Sequence, residues 1–473
     1  MKLRKIIAVA ILSVAALNAA NAQQTMRTAY FMDNYAYGYR FNPAFAPSYG
    51  HFSFALGNLG VSAESNMALS TFLYPTTNRL TTFLSPTVSN DEFLGKLKET
   101  NTFHIGIDEN LLSLGDSNGK GRYASLEINL RSHSYAALPY DIFRFVKAGA
   151  QDGQTSYSIS NLGIRTDNWV ELAYGLSYEI NDKIRAGGRA KLLVGLAHAS
   201  VYLSDAEFTI SDEIWKIQAT GNLDANLPKG VELQTSNGIN LNMGSVRNLR
   251  PGGYGAAIDL GATYKILDNL TASLAINDLG FIAWNNAYKG GTPAMAWQFD
   301  GFNEVTINAK EGESTVGDQF NDLFDDIQDC LRFDINDHSS STTSLEAVIN
   351  AGIEYDVTES FSAGALFTSH LRGMYSWSEA RGIATWCPAD ILGLAGSAAM
   401  SSYGPSLGAV VNLKLAFLGL YLGVDSLLPI KEITPQYIPV GRINTNVNFG
   451  LHIAFGGVKK TKAATQTSQP ITE

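Results

Sequence analysis

Hydrophobic and polar residues alternate along much of the chain with a period of two, which is typical of β-strands whose two faces meet different surroundings. In residues 171–180, even-numbered positions are apolar and odd-numbered positions are small or polar. The apolar face of this stretch consists of Leu172, Tyr174, Leu176, Tyr178 and Ile180. The same alternation recurs over residues 258–266 and 349–357. The pattern predicts an all-β fold whose strands each have one apolar face.

These three stretches are copies of one internal repeat that aligns without gaps. Each reads G-x-x-Y-x-[IV]-x-[DE]-x-Φ-x-A, where Φ is apolar, with the tyrosines Tyr178, Tyr264 and Tyr355. The copies lie about 90 residues apart, which is longer than the ~20–50-residue period of a solenoid. The acidic position, Asp182 in the first copy, marks a turn of two or three residues. Each repeat is therefore predicted to be a tight hairpin within one sheet.

Further alternating stretches raise the predicted number of strands to about 14. They include residues 103–114, 122–135, 184–197, 271–282 and 445–455. After residue 22 the chain has no run of about 18 uninterrupted apolar residues, so helical membrane spans are not predicted. Because an open sheet would leave backbone groups unpaired in hydrocarbon, a membrane chain of this kind must close into an antiparallel barrel. A soluble barrel shows the same alternation turned inside out and is the alternative.

Aromatic residues at strand ends favour the membrane barrel. Tyr178, Tyr264 and Tyr355 lie within ~10 Å of a turn, at ~3.4 Å per residue, and tight turns of outer-membrane barrels face the periplasm. A ring with a polar hydroxyl suits the membrane interface, so these tyrosines are predicted to form the periplasmic girdle. The last strand ends on Phe455, like the C-terminal strand read by the outer-membrane assembly machinery. Residues 50–455 are predicted to form the barrel, and residues 456–473 a disordered polar tail.

The N-terminus resembles a secretory signal. Lys2, Arg4 and Lys5 precede a short apolar core, and Ala20-Asn21-Ala22 supplies the small residues of a cleavage site. The alternative is a retained N-terminal anchor. Residues 1–22 are predicted to be removed on export, which places the mature chain in the cell outer membrane with lipid around the barrel.

Composition narrows the possible partners. Charged residues make up 16% of the chain, below the usual ~25%, and the net charge of -10 argues against nucleic acid as a partner. The two cysteines, Cys330 and Cys387, exclude a disulfide-rich scaffold. In an oxidising compartment they could pair and pin two loops together, and unpaired cysteines are equally compatible with the sequence. Residues 318–331 have helical spacing and an acidic face, and a second short helix is predicted over residues 139–146.

No catalytic set emerges from the motifs. Two G-x-S-x-G matches centre on Ser117 and Ser406, but the first lies in a polar turn and the second precedes a strand, whereas a nucleophile elbow joins a strand to a helix. The seven histidines form no metal-binding pair of the HExxH type. The sequence therefore predicts a protein that is not an enzyme, with no catalytic residue, cofactor or metal site.

An aromatic segment, residues 23–49, precedes the first good strand. It contains the motif Asn42-Pro43-Ala44 and the aromatic residues Tyr35, Tyr37, Tyr39, Phe41 and Phe45. In this position the motif resembles the N-terminal hatch of FadL-like outer-membrane transporters and of the related PorV-type barrels of Bacteroidetes. Residues 278–284, Asp-Leu-Gly-Phe-Ile-Ala-Trp, resemble a strand motif of an uncharacterised Bacteroidetes barrel family within this group.

The resemblance implies a fourteen-stranded barrel plugged by its N-terminal segment. FadL-like members move hydrophobic small molecules without an energy source, so passive transport of hydrophobic or amphipathic molecules is the first prediction. The predicted lumen face is, however, more polar than an apolar passage requires, with Glu171, Asp259, Glu354 and Asp356. PorV-type barrels act instead in protein secretion. The second prediction is therefore an interaction barrel that binds a secreted or surface protein.

Overall fold

The computed structural model describes most of the residues after position 25. The described ranges are 26–47, 49–55, 57–75, 80–117, 121–148, 155–210, 215–227, 231–234, 240–243, 250–291, 297–299, 334–427 and 441–456. The predicted signal peptide, the acidic helix over 318–331, Cys330 and the tail from residue 457 lie outside the described residues.

Strands make up most of the described chain. The first twelve are β1 (Gly50–Phe54), β2 (Leu59–Ala68), β3 (Leu73–Pro75), β4 (Leu80–Thr82), β5 (Thr100–Ser117), β6 (Arg122–Pro139), β7 (Thr155–Ser158), β8 (Leu162–Glu179), β9 (Ile184–Ile210), β10 (Trp215–Asn226), β11 (Val231–Gln234) and β12 (Asn240–Met243). The remainder are β13 (Gly253–Leu267), β14 (Leu270–Gly291), β15 (Trp297–Phe299), β16 (Asp334–Ser344), β17 (Ala347–Asp356), β18 (Phe361–Leu371), β19 (Trp377–Ala389), β20 (Leu392–Ser401), β21 (Gly404–Leu415), β22 (Leu418–Leu427) and β23 (Arg442–Phe455). The predicted all-β class is confirmed.

The helices are short. They are α1 (Leu69–Phe72), α2 (Asn90–Leu94) and α3 (Tyr140–Ala148), with single 3₁₀ turns at Arg27–Ala29, Gly38–Arg40 and Gly373–Tyr375. Helix α3 confirms the helix predicted over residues 139–146. No helix among the described residues is long and apolar enough to cross a membrane.

One antiparallel sheet of 19 strand segments closes on itself. Closure occurs at β1 and β2, because both strands pair with β5 on one side and with β23 on the other. At several positions two collinear segments share one place in the ring. These pairs are β1 with β2, β7 with β8, β10 with β13, and β16 with β17. Collinear segments can be counted either singly or together, so the predicted count of about 14 strands stays a prediction.

The three sequence repeats form three equivalent hairpins. The repeat tyrosines pair with the repeat alanines in one register: Tyr178 with Ala186, Tyr264 with Ala272, and Tyr355 with Ala363. The connecting turns are short, at residues 180–183, 268–269 and 357–360. Short connections also join β19 to β20 and β21 to β22 at this end of the barrel, whereas the helices lie on connections at the other end. The tight hairpins predicted from the repeat are confirmed, although two of the three turns have four residues instead of the predicted two or three.

The two faces of the strands differ in burial as expected for a protein in a membrane. Large apolar side chains on the outer face are about half exposed, for example Leu172 at 41% and Leu260 at 54%. Glu171 and Asp259, on the opposite face of the same strands, are fully buried inside the ring. A water-soluble barrel would show the reverse order, because it buries its apolar face. The protein is therefore a transmembrane β-barrel with a polar interior.

The repeat tyrosines lie on the outer surface near the short turns. Tyr178, Tyr264 and Tyr355 are each exposed by 45–47%, and the guanidinium carbon of Arg122 lies 5.3 Å from the ring centre of Tyr178. A tyrosine near a strand end and beside a cation is suited to the membrane interface. Their role as a periplasmic girdle stays a prediction.

A charge on the outer face should destabilise the barrel according to depth. Leu260 lies four residues from Tyr264, at ~3.4 Å per residue, and therefore well inside the apolar band. We expect Leu260→Arg to lower the free energy of unfolding in lipid vesicles by about 2–4 kcal/mol, measured by urea titration. Ile391→Arg in the short turn after β19 is the control and should cost less than about 1 kcal/mol. Equal losses for both variants would contradict the proposed orientation in the membrane.

Candidate functional site

The N-terminal segment, defined as residues 26–47, lies inside the barrel. Arg27 contacts β22, whereas Asn42 contacts β13 and β14 on the opposite side of the ring. Four of the predicted plug aromatics, Tyr35, Tyr37, Tyr39 and Phe41, are at most 2% exposed. A segment that contacts opposite walls and is buried along most of its length crosses the lumen.

The Asn-Pro-Ala turn, residues 42–44, docks on the wall of the barrel. The side-chain amide of Asn42 donates to the carbonyl oxygens of Ala262 and Leu274, each at 3.3 Å, and its Oδ1 accepts from the backbone N–H of Ala44 at 2.9 Å. Ser177 of β8 donates to the carbonyl oxygen of Ala44 at 3.2 Å. The turn is therefore joined to three strands by its polar groups.

Two glycines of the wall leave room for this turn. A Cβ at Gly187 would collide with the carbonyl oxygen of Pro43, and a Cβ at Gly261 with Oδ1 of Asn42. Gly261 is the glycine of the second sequence repeat, and a Cβ added at Gly352, the glycine of the third repeat, would lie only 2.9 Å from the ring of Tyr30. The repeat therefore places outward tyrosines and inward glycines on the same hairpins.

The aromatic side chains of the segment pack against one another and against aromatic residues of the wall. Tyr35 lies 4.9 Å from Tyr421, Tyr39 lies 5.5 Å from Tyr123, and Phe45 lies 5.0 Å from Tyr30 between ring centres. Burial raises the pKa of Tyr30 and of Tyr37 to about 12, so both hydroxyl groups keep their protons near neutral pH. The predicted plug aromatics thus form one continuous cluster at the centre of the barrel.

Arg27 anchors the beginning of the segment. The carboxylate of Asp425 accepts the backbone N–H groups of Arg27 and Thr28, each at 2.7 Å. The guanidinium of Arg27 lies 3.2 Å from Glu379 and 3.4 Å from Glu64. All of these groups are buried, so each charge depends on the others for its compensation.

A second group of ion pairs, the charged layer, holds the segment at Arg40. It consists of Arg40, Glu127, Arg189, Asp259, Lys191 and Asp278. Glu127 forms ion pairs with Arg40, at 3.4 Å, and with Arg189. It also accepts a hydrogen bond from the hydroxyl of Tyr39 at 2.9 Å. Asp259 pairs with Arg189 at 3.1 Å and with Lys191 at 2.8 Å. Asp259, one of the acidic lumen positions noted in the sequence, is thus neutralised by two cations of β9.

The sequence comparison identifies the family. Residues 43–425 match the family described as "Family of unknown function (DUF5723)", which covers most of the chain. The chain belongs to the DUF5723 family. Membership agrees with the resemblance to an uncharacterised barrel family noted for residues 278–284. No curated protein sequence matches the chain.

Several solved structures resemble this DUF5723 barrel at low similarity. The toluene transporter TbuX of Ralstonia pickettii has a TM-score of 0.41 and 10% identity, covering 88% of this chain and 92% of its own. The Pseudomonas putida toluene transporter TodX has a TM-score of 0.38 and 9% identity, covering 92% and 94%. A Pseudomonas aeruginosa FadL homologue has a TM-score of 0.37 and 11% identity, covering 92% and 99%. Similarity at this level does not indicate a ligand for the DUF5723 protein.

The motif over residues 278–284 begins at a β-bulge in this family member. Asp278 has a φ of +58°, a conformation that costs free energy for a residue other than glycine. The bulge shifts the register of β13 against β14 between Ile258 and Leu260. As a result, the Asp278 carboxylate accepts a hydrogen bond from Nζ of Lys191 at 2.5 Å. The backbone N–H of Asp278 donates to the carboxylate of Asp259 at 2.8 Å. The motif therefore helps to build the charged layer.

Two residues noted in the sequence take different places in the DUF5723 protein. Cys387 was expected on a loop, but it lies in β19, because Pro388 coincides with a register shift between Trp386 and Ala389 where the pairing is already interrupted. Its sulfur lies 3.7 Å from Oδ1 of Asn34. The pairing with Cys330 stays a prediction, since Cys330 is outside the described residues. Ser406 lies within β21 and not at a strand-to-helix turn.

The cations of the site were not among the residues predicted from the sequence. Arg189 and Lys191 occupy alternate positions of β9 on the same face as Gly187, opposite the lipid-facing Leu192. Their alternation could have identified them as lumen residues, because acidic residues were already predicted on the lumen faces of neighbouring strands. Arg27 and Arg40 offered no comparable pattern, because the N-terminal segment has no regular strand.

Proposed function

We propose that the protein is an outer-membrane barrel for passive transport of hydrophobic or amphipathic small molecules, with residues 26–47 as its plug. The observation that carries the proposal is the N-terminal segment across the lumen, joined to opposite walls through Arg27 and Asn42. A barrel that only anchored itself in lipid would not need a segment of its own chain there. A plug allows selective passage while limiting the flow of water and ions.

Two features support the outer membrane as the location. Closed antiparallel barrels with short turns at one end and longer connections at the other are typical of that membrane. The predicted export signal and the tyrosines near the short turns agree with a periplasmic position for that end.

The lumen supports amphipathic molecules better than pure hydrocarbons. Aromatic residues of the N-terminal segment provide apolar surface, while the adjoining charged layer provides groups that bind polar atoms. A molecule with both characters would meet a complementary wall along the route. The predicted alternative, an interaction barrel for a secreted protein, gains no support from contacts of the described residues.

Uptake into vesicles tests the proposal. We expect purified protein in liposomes to raise the entry rate of amphipathic tracers such as fatty acids, bile acids and aromatic acids above that of empty vesicles of the same lipid. The increase should saturate with tracer concentration, because passage past a plug requires binding. Equal entry into loaded and empty vesicles for all three tracer classes would contradict a transport function.

A further inference from the structure

A small polar cavity adjoins the charged layer inside the barrel. Its volume is about 60 Å³, and it borders Arg40 of the N-terminal segment. The wall residues that matter for binding are Arg131, Trp169, Lys191, Asn277 and Arg372. Since one water-sized group needs about 10–15 Å³ of such space, the cavity has room for roughly four to six non-hydrogen atoms.

Arg372 presents hydrogen-bond donors that no described residue uses. Its Nη2 contacts Asp167, and its guanidinium lies over the ring of Tyr135, 4.8 Å from the ring centre. The side chain is 4% exposed, and its Nε and Nη1 lack a hydrogen-bond partner among the described residues. A buried guanidinium with two donors left over is costly unless something accepts from it.

The carboxylate that Arg372 contacts is shared with two other donors. Asp167 already accepts Arg165 at 2.8 Å and His198 at 2.7 Å, in addition to Arg372. Two guanidiniums therefore share one carboxylate. The lining itself holds four cations, Arg40, Arg131, Lys191 and Arg372, and three carboxylates, Asp108, Asp278 and Glu346, while Glu127 and Asp259 pair with Arg40 and Lys191 from outside the lining. The unused donors of Arg372 are therefore the reason to expect an acceptor here, and a carboxylate forms the strongest hydrogen bonds with a guanidinium.

Trp169 adds a third donor on the same wall. Its side chain is buried, and its indole N–H has no partner among the described residues. The ring is held by stacking on His133, at 5.5 Å between centres. Oδ1 of Asn277 is an acceptor without a partner in the described chain, and a water bridging to the ligand would satisfy it. Three unused donors and one acceptor favour a ligand that mainly accepts hydrogen bonds.

We infer that this cavity is a binding site for a carboxylate, held by Arg372 and the indole N–H of Trp169. The available space admits a carboxylate with two or three attached carbons, either as a whole short acid or as the head of a longer amphiphile. The inference rests on the proposed function only for the route by which the ligand reaches the cavity.

Calorimetric titration of the purified full-length barrel in detergent tests the site. The probes are propionate, its neutral counterpart propanamide, and hexanoate as the longer amphiphile. We expect propionate to bind more tightly than propanamide, and Arg372→Gln to weaken propionate by at least about tenfold, as for loss of a charged hydrogen bond. Trp169→Phe should weaken it by about threefold to tenfold.

Two matched variants control for structural damage. Arg144→Gln removes a guanidinium that pairs with Asp141 on α3, and Trp377→Phe removes another indole N–H that has no partner in the described chain. Neither residue lines the cavity, so each variant should change propionate affinity by less than about twofold. Thermal unfolding of all four variants shows whether they remain folded.

The outcomes separate the inference from the proposed function. If only Arg372→Gln and Trp169→Phe lose affinity for propionate, the ligand is a short acid. If these variants lose more affinity for hexanoate than for propionate, the cavity binds the head of an amphiphile. Absence of binding by the wild-type barrel, equal binding of propanamide, or unchanged affinity in Arg372→Gln would overturn the inference. Failure of vesicle uptake together with cavity-dependent propionate binding would reject the transport proposal and leave the carboxylate site intact.

Discussion

Replacement of Arg27 by methionine is expected to release the N-terminal segment from the lumen wall. The substitution leaves Glu64, Glu379 and Asp425 buried with Arg381 as the nearby guanidinium. Breaking a buried ion pair on one side typically costs about 3–5 kcal/mol, because the remaining charge loses its compensation. Every 1.4 kcal/mol is a factor of ten, so the undocked fraction should rise by more than about a hundredfold.

Hydrogen exchange measures this release directly. Amides of residues 26–47 should exchange faster in Arg27→Met, while those of the ring strands should keep their protection. Planar-bilayer recordings should show larger ion conductance, since the lumen is no longer crossed by the segment. The control is Arg144→Met in α3, which removes a partly exposed ion pair with Asp141 and should cost less than about 1 kcal/mol. Unchanged exchange in Arg27→Met would show that the anchor does not hold the segment.

Replacement of Gly261 by valine should displace the Asn-Pro-Ala turn from the opposite wall. A side chain at this position collides with Asn42 and Pro43, and the two backbone acceptors of Asn42 are lost if the turn moves away. Overpacking and the lost hydrogen bonds together should weaken docking by about 2–4 kcal/mol. The segment would remain tethered at Arg27, so conductance should fluctuate instead of staying open.

A glycine of the outer face provides the matched control for this variant. Gly396 of β20 has nothing within 4 Å of an added Cβ, and valine is favourable in a strand. Gly396→Val should therefore leave both the exchange of residues 26–47 and the conductance unchanged. Equal effects of the two substitutions would mean that loss of glycine, and not contact with the turn, causes the change.

The barrel could be predicted from the sequence because its signals are local. Alternation with period two assigns each side chain to one face, and the repeated glycine, tyrosine and alanine fix the register of three hairpins. A turn of two to four residues leaves little freedom between paired strands. The outward orientation of Tyr178, Tyr264 and Tyr355 followed from these elements together.

The interior could not be predicted in the same way because its contacts join distant positions. Asp425 binds the backbone of Arg27 across 398 residues of sequence, and Arg372 meets Asp167 across 205. No periodicity in one strand identifies a partner on another strand. The bulge at Asp278 also changes which face its side chain occupies, which simple alternation does not anticipate.

The long-range anchor of Arg27 sets an order for assembly. Its partners lie on β2, β19 and β22, so this part of the binding surface is incomplete until nearly the whole chain has been delivered and inserted. These contacts of the N-terminal segment can therefore form only after β22 is in place. We expect docking of residues 26–47 in the lumen to be among the last steps of folding.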